Sequence, residues 1–349
     1  MERITFWNNK GGTGKTSLAF QTICQYAHEN PSEKILVIDV CPQANLSELL
    51  LGGLHQGGSN ILLQRQGATP RATIGGYFQL RLPSPYTPPS FTAQDFLTQP
   101  YKYNKNIPEN IDLLCGDPML ELQANAISTL ANNQIPGTNT WIAIIDWIDD
   151  FLKKIEDEYD IAYFDLNPSF SIYTQIALAA TSKLLLPVMA DDSSRRAIQN
   201  AFSLIYGLKL PSEIYTKYAF AQKLKDEGRQ LPKVHMILKN RLTQYMGPAS
   251  AFATVLSAIE ADISDLLKVH PHLFTFSSID DGIINIRDFG TTGVVSAARG
   301  CPFYILPSGR LYVLGQRVQI KEDYRIDCEH NIRAVSYTHL RAHETPEHL

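Results

Sequence analysis

The chain has 349 residues, 44% of them apolar and 19% charged, with a formal net charge of −4. That length accommodates one large α/β domain or two smaller ones, and the apolar content suffices for a full core. The charge excludes bulk basicity as a basis for nucleic-acid binding, although a local basic face is compatible with it, because binding follows charge distribution and not the total.

Residues 3–20 read as a short apolar strand, a glycine-rich turn and the start of a helix. Gly11, Gly12 and Gly14 let the backbone turn tightly and bring N–H groups onto anionic oxygens, and a helix opening near Gly14 adds the positive end of its dipole. Lys15 is placed to reach the β- and γ-phosphates of a nucleotide and Thr16 to offer a hydroxyl to Mg²⁺, with Thr13 and Ser17 completing the predicted cradle. The generic phosphate-loop pattern has a glycine five residues before Gly14. This chain has Asn9 there, followed by an extra lysine, Lys10.

The first helix is expected over 14–28, and Asn30-Pro31-Ser32 ends it. The run at 34–39 is continuously apolar and closes on Asp39, the pattern of a buried parallel strand that delivers a carboxylate to the carboxyl edge of a sheet. A loop at 41–45 and a short helix at 46–51 follow. Residues 52–108 change character, with Gly-Gly pairs and many prolines, and are expected to form a functional or partly mobile insertion. Within it, Thr92 and Asp95 have the spacing of a capping box.

Beyond the insertion come a strand at 111–115, a helix at 118–131 and a helix at 141–157 whose apolar stripe faces a core. The strand at 161–165 ends in a second acid, Asp165. Then follow a helix at 170–181, a strand at 184–188, a helix at 195–207, a polar helical segment at 211–228, a strand at 234–238, a helix at 248–268 and a strand at 273–276. This alternation predicts one α/β domain with a doubly wound, mostly parallel sheet flanked by helices, its ligand at the carboxyl edge.

Asp39, Asp165 and Thr16 together make a candidate Mg²⁺ site, in which the ion bridges phosphates and offsets their charge. Taken singly, each acid also fits a helix cap or a turn. The five cysteines are scattered, with no Cys-x-x-Cys pair, and point to reduced thiols with no disulfide framework, zinc or iron–sulfur site. With no secretory signal and no apolar run near the ~18 residues of a membrane helix, a soluble, cytoplasmic protein is expected.

Residues 335–345 resemble the translation of a transposase-type sequencing adapter. The domain is therefore expected to occupy 1–334, with 335–349 a non-native or disordered tail and a native C-terminal helix missing. His339, His343 and His348 in that tail fit helical spacing for a metal site but have no other support.

On Lys10-Gly-Gly-Thr-Gly-Lys-Thr16, on Asp39-x-x-Pro42-Gln43-x-Asn45 and on Tyr159-Asp-Ile-Ala-Tyr-Phe-Asp165-x-x-Pro168-Ser169, the chain resembles the ParA/MinD family of deviant-Walker P-loop ATPases. Weaker echoes are Asp117-x-x-Leu120, Asp191-Asp-Ser-Ser194 and Gly300-Cys301-Pro302. The resemblance covers nearly all of 1–334 apart from the insertion, and implies a P-loop NTPase fold of the SIMIBI type with ATP and Mg²⁺ as ligands. It further implies an ATP-dependent homodimer, in which Lys10 contacts the phosphates held by the other subunit; a solvated loop lysine is the plain alternative.

The same resemblance places adenine recognition near Asn240, a position that a strand-end turn residue also explains. It implies non-specific DNA binding through scattered cations, for which Arg195, Arg196, Lys239, Arg241, Arg287 and Arg299 are candidates, and a ParB-like or other activator protein. One departure bears on rate. The family carries a second acid two residues after the strand-end aspartate to orient the attacking water, and this chain has Cys41, a poor substitute for a carboxylate. Asp191 and Asp192 are candidates for that gap, though surface solvation is the plainer explanation of both.

Three functions follow as expectations. The first is a slow ATPase switch for DNA partitioning, the second a MinD-like or defence-related ATPase that positions another machine. The third is an ATP-binding interaction module that hardly hydrolyses its ligand.

Overall fold

The computed structural model describes residues 1–242, 251–313 and 315–341. The chain opens with strand β1 (Glu2–Phe6), whose carboxyl end leads through the glycine-rich turn into helix α1 (Lys15–Glu29). Strand β2 (Ile35–Val40) and helix α2 (Asn45–Leu50) follow, then α3 (Gly58–Gln66), α4 (Ile74–Arg81) and the two-residue strand β3 (Leu97–Thr98). Next come β4 (Ile111–Leu114), α5 (Met119–Ala131), α6 (Thr140–Ile145), α7 (Trp147–Leu152), β5 (Ile161–Leu166), α8 (Ile172–Ala179), β6 (Lys183–Met189) and α9 (Asp192–Tyr206). The remainder comprises α10 (Glu213–Tyr218), α11 (Phe220–Asp226), β7 (Lys233–Leu242), α12 (Ala251–Val269), α13 (Ile279–Gly282), β8 (Ile283–Arg287), α14 (Gly290–Arg299), a hairpin of β9 (Gly309–Val313) with β10 (Gln316–Ile320), and α15 (Glu322–Arg341).

Eight strands make one sheet in the order β3-β4-β2-β5-β1-β6-β7-β8, parallel throughout except for β3. The strands are apolar on both faces because helices cover both faces, and period-2 alternation divides each strand between two cores. Ile4 and Phe6 of β1, Ile35 and Val37 of β2, and Ile161 and Tyr163 of β5 join α1, α14 and α15 on one side. Leu36, Ile38, Ala162 and Phe164 face α5 to α9 and α12 on the other. The expected doubly wound, mostly parallel architecture is the one observed.

Several local expectations are corrected. The single helix at 141–157 is two short helices, because the chain breaks at Asp146, which ends α6 and precedes α7. Residues 273–276 contribute only an isolated bridge, Phe274 to Val234, and the outer strand is β8. The helix expected at 248–268 is seen from Ala251, and 248–250 lie outside the described residues. Thr92 precedes a 3₁₀ turn without a side-chain cap, so the capping-box reading fails.

The insertion is ordered. Tyr77 and Phe78 of α4 and Phe96 are buried among Trp147 and Phe151 of α7, with Phe91 stacked on Phe151 at 5.8 Å. Arg81, fully buried, lies 5.3 Å over the Trp147 ring and donates to Asp150 at 2.7 Å, so its charge is paired where water cannot reach it. The fold thus uses the Gly/Pro-rich stretch as a third packing element beside β4.

The boundary expected at residue 334 falls inside α15, which runs beside α1. Val335 is fully buried in the α1-side core, and the Ser336 hydroxyl donates to Glu29 at 3.2 Å. Residues 342–349, including His343 and His348, lie outside the described residues. Among the described residues no helix is long and apolar enough to cross a membrane. Val335→Ala is expected to lower unfolding free energy by about 2 kcal/mol in urea titration, as for other buried methyl deletions; an unchanged midpoint would show that the α15 contact contributes nothing to the fold.

Candidate nucleotide-binding site

The parallel register of β2 and β5 pairs Asp39 with Asp165, so the two carboxylates stand side by side where both strands end. β1 lies on the other side of β5, and its carboxyl end releases the chain into the glycine turn above them. Gly12 and Gly14 have φ of 74° and 84°, in the left-handed region that a glycine reaches without a steric penalty. A Cβ on Gly14 would stand 2.2 Å from Asn240 Nδ2, so the loop also needs glycine there for close approach. At Gly11 and Gly12 a Cβ would meet nothing within 4 Å.

The loop's polar groups are partly spoken for. Lys15, buried at the first turn of α1, donates through Nζ to the Lys10 carbonyl at 3.0 Å, and burial lowers its pKa against the opposing pull of Asp165. Thr16 Oγ1 donates to Asp165 Oδ2 at 2.7 Å. Among the described residues, three buried oxygens around the loop have no hydrogen-bond partner: Asp165 Oδ1, Thr13 Oγ1 and Asn9 Oδ1. Ser17 faces solvent.

Both carboxylates are fully buried, and burial raises the pKa of each, Asp165 further through the charge of Asp39. Asp39 is braced by donors: the Cys41 N–H at 3.1 Å on one oxygen, and the Ser47 N–H and hydroxyl at 2.9 and 2.7 Å on the other. Ser47 was not singled out from the sequence, because nothing short of the α2 geometry reveals that a serine eight residues on returns to the acid.

Divalent metal fits these residues. A hard cation takes oxygen ligands and, when Mg²⁺, commonly rests on one or two protein groups plus substrate phosphates. Asp165 offers an unpartnered oxygen beside the Thr16 hydroxyl, while both oxygens of Asp39 are committed to hydrogen bonds. Asp165 and Thr16 would hold the ion directly and Asp39 would act through water. Among the described residues no group of three acidic, cysteine or histidine side chains forms a closed metal cage.

Lys10 is turned away from its own loop. Its ammonium pairs with both oxygens of Asp191 at 2.5 and 2.6 Å and donates to Ser194 Oγ at 3.1 Å. Asp191 caps α9 by accepting the Ser194 N–H at 2.7 Å; partial burial opposes its ionisation, yet the Lys10 and serine contacts bring it down to about 2. This carboxylate is occupied by Lys10, and Asp192 pairs with Arg196, so neither stands free to replace the missing catalytic acid.

Cys41 is buried, donates through Sγ to Gln43 Oε1 at 3.0 Å, and is pushed up to about 12 by burial and by the neighbouring Asp39 and Asp165. Asn240 lies near the carboxyl end of β7, two residues before its last, and is buried against the loop, its Nδ2 donating to the Thr13 carbonyl at 2.9 Å and its Oδ1 accepting the Arg241 N–H. Its amide thus braces the phosphate loop. Of the six cations expected to meet DNA, Arg195, Arg196, Lys239 and Arg287 are paired with Asp262, Asp192, Glu260 and Asp327. Arg241 and Arg299 have no ion pair among the described residues.

A strand-to-helix glycine loop with an invading lysine, a helix-borne threonine and two strand-end carboxylates defines a P-loop nucleotide-binding protein. A family model described as an AAA domain matches residues 1–210. The chain belongs to that family and is a ParA-like P-loop ATPase by kinship. It is 24% identical over 207 residues to the cell division protein PomZ of Myxococcus xanthus, covering 59% of this chain and 52% of that protein. It is 23% identical over 201 residues to the virulence plasmid ParA family protein pGP5-D of Chlamydia psittaci, covering 57% and 61%. The match therefore spans only about half to three fifths of these relatives. The structure of a Cyanothece McdA variant in complex with ATP superposes with a TM-score of 0.60 at 16% identity, covering 99% of both chains, which establishes the shared fold.

Removing the brace on Asp39 has a measurable effect. Ser47→Ala takes a hydroxyl donor from a fully buried carboxylate and is expected to cost about 1–3 kcal/mol in chemical denaturation. A change below a few tenths would mean that the hydrogen bond contributes nothing.

Proposed function

We propose that the protein is a Mg-ATP-dependent dimerising switch of the ParA type, acting in the cytoplasm, whose nucleotide state controls its association with DNA and with a ParB-like or other activator protein. The observation that carries this reading is the division of labour between the two lysines. Lys15 is buried inside its own loop, whereas Lys10 is held outside it by Asp191. A cation that does not serve its own phosphates gains most from those of a facing copy at an interface poor in water. Dimerisation then exchanges one anionic partner of Lys10, the Asp191 carboxylate, for another, the nucleotide of the second subunit.

Within each site, Gly11, Gly12, Thr13 and Gly14 present backbone donors to the phosphates, Lys15 neutralises their charge, and Asn240 keeps the loop in register at the base side. Bound Mg²⁺ would supply charge neutralisation between the phosphates. The two relatives, a cell division protein and a plasmid ParA family protein, are both named for tasks that suit positioning or partitioning.

Cys41 favours a second reading of the same site, a nucleotide switch that hydrolyses ATP very slowly. A neutral thiol bonded to Gln43 neither withdraws a proton from water nor orients it by charge.

Steady-state phosphate release with and without DNA tests the enzyme claim: turnover above that of Lys15→Ala is expected, and equality with it refutes hydrolysis. Cys41→Asp is expected to raise turnover about tenfold or more by restoring a carboxylate beside the water. For the dimer, Lys10→Ala is expected to abolish ATP-dependent dimerisation in light scattering while retaining monomer nucleotide binding. A variant that still dimerises with ATP removes the crossing role.

A further inference from the structure

The β9–β10 hairpin lies outside the matched family segment, and the nucleotide site does not use it. Its register is antiparallel, Arg317 opposite Tyr312 and Gln319 opposite Arg310. Because side chains alternate across a ribbon, these four share one face, and all are exposed. The other face is apolar: Val313 and Ile320 are buried in the α1-side core, with Leu311 and Val318 packed against it. The hairpin is therefore anchored on one side and presents a fixed outer surface on the other.

That outer surface is made of hydrogen-bond donors. Arg317 Nε donates to the Tyr312 hydroxyl at 2.5 Å, and its guanidinium lies 5.3 Å from the ring, which holds both side chains in one geometry. Arg310 stands on the same face, and Lys321 follows the second strand. Among the described residues no carboxylate pairs with Arg310, Arg317 or Lys321. The stretch 299–321 contains Arg299, Arg310, Arg317 and Lys321 and not one Asp or Glu, in a chain whose net charge is −4. The nearest acids in sequence begin the next helix, and there Glu322 is tied to Arg325.

Place in the fold strengthens the point. β10 leads straight into α15, whose Tyr324 hydroxyl donates to the Asp288 carbonyl and whose ring lies 4.1 Å beneath Arg287, the last residue of β8. The base of the hairpin thus adjoins the carboxyl edge of the sheet, the edge that carries the phosphate loop.

We propose that the outer face of this hairpin, Arg310, Tyr312, Arg317 and Gln319 together with Lys321, docks on the phosphate backbone of duplex DNA. This rests on the reading of DNA as the partner, and moves the contact from Arg195, Arg196 and Arg287, which carboxylates already neutralise, to a surface where they do not. Arginine, lysine, tyrosine and glutamine are among the side chains that bond phosphate oxygens, contacts that carry no sequence information. The ribbon lies flat on the protein body, which suits it to the backbone and not to insertion in a groove. Two hairpins in one dimer would bind a single duplex more tightly than either alone.

The test uses the full chain with Mg-ATP and a fluorescent random-sequence duplex, followed by anisotropy across a range of salt. Arg310→Glu with Arg317→Glu is expected to weaken binding at least about tenfold and to flatten the dependence of log affinity on log salt by about 2, roughly one phosphate contact per arginine. Affinity for a fluorescent ATP analogue should not change, which shows that the variant is folded. Lys102→Glu with Lys105→Glu, the same change of charge on the exposed part of the insertion, is expected to alter DNA affinity less than twofold.

If wild-type protein binds DNA and the arginine reversal leaves affinity and salt slope unchanged, the hairpin assignment falls while the DNA reading stands. Equal loss in the lysine control overturns it too, since bulk charge would then explain binding. Failure of wild-type protein to bind DNA at any salt removes both readings. Binding to phosphatidylglycerol vesicles in place of DNA, lost with the arginines, would reassign the face to an anionic membrane.

Discussion

Two carboxylates standing side by side at the ends of neighbouring parallel strands impose the main electrostatic constraint on this molecule. Asp39 and Asp165 are paired in register and fully buried, so their charges repel across a medium that screens them poorly. The structure answers with donors. Ser47 and the Cys41 N–H brace Asp39, and Thr16 bonds Asp165, while the buried Lys15 supplies the nearest positive charge. One oxygen of Asp165 is left without a partner next to a glycine loop that concentrates N–H groups. Negative charge below and donors above make a place where a cation and a polyphosphate complete each other.

The same reasoning separates the lysines. Lys15 is held by a carbonyl within its own loop, a neutral partner that a phosphate outcompetes at little cost. Lys10 is held by a carboxylate that also caps α9, so releasing it leaves Asp191 ionised at the start of that helix without its cationic partner. An exchange of this kind is favourable only when a stronger anion is offered, and a nucleotide triphosphate on a facing subunit is such an anion. The geometry thereby links the position of α9 to whether Lys10 stays home.

How much of this was legible in the sequence depended on how local the signal was. The phosphate loop, β2 and β5 with their terminal acids, and the parallel sheet could all be read, because strand burial and strand-end chemistry are written in consecutive residues. The partners of these residues could not. Ser47 reaches Asp39 through the turn of α2, Asp191 reaches Lys10 from the end of the neighbouring strand β6, far away in sequence, and Asn240 reaches Thr13 over more than two hundred residues. The apolar stripe at 141–157 predicted one helix because periodicity does not register a break at Asp146. The more apolar 273–276 reads as the outer strand, whereas β8 carries an exposed Asn285, and pairing with β7 decides which segment enters the sheet. The insertion reads as partly mobile because glycine and proline recur along it, yet four of its aromatics, Tyr77, Phe78, Phe91 and Phe96, are enough to seat it against α7.

That seating ties the insertion to the chemistry. Arg71 and Thr73 of the insertion donate to the buried Asp117 at 2.8 and 2.6 Å, and Asp117 follows Gly116, whose N–H donates to the Ser47 hydroxyl at 2.9 Å. The same hydroxyl donates to Asp39. Gly116 has no room for a side chain, since a Cβ would stand 2.7 Å from the Cys41 carbonyl and 2.8 Å from Ala44 Cβ, so this segment is packed tightly against the loop that follows β2. Asp117 is a carboxyl group with no exposure, and its burial is tolerable only while the insertion supplies Arg71. A segment that reads as a loose excursion is therefore required to neutralise a buried acid next to the nucleotide edge, and the position of Asp39 depends on it through two hydrogen bonds.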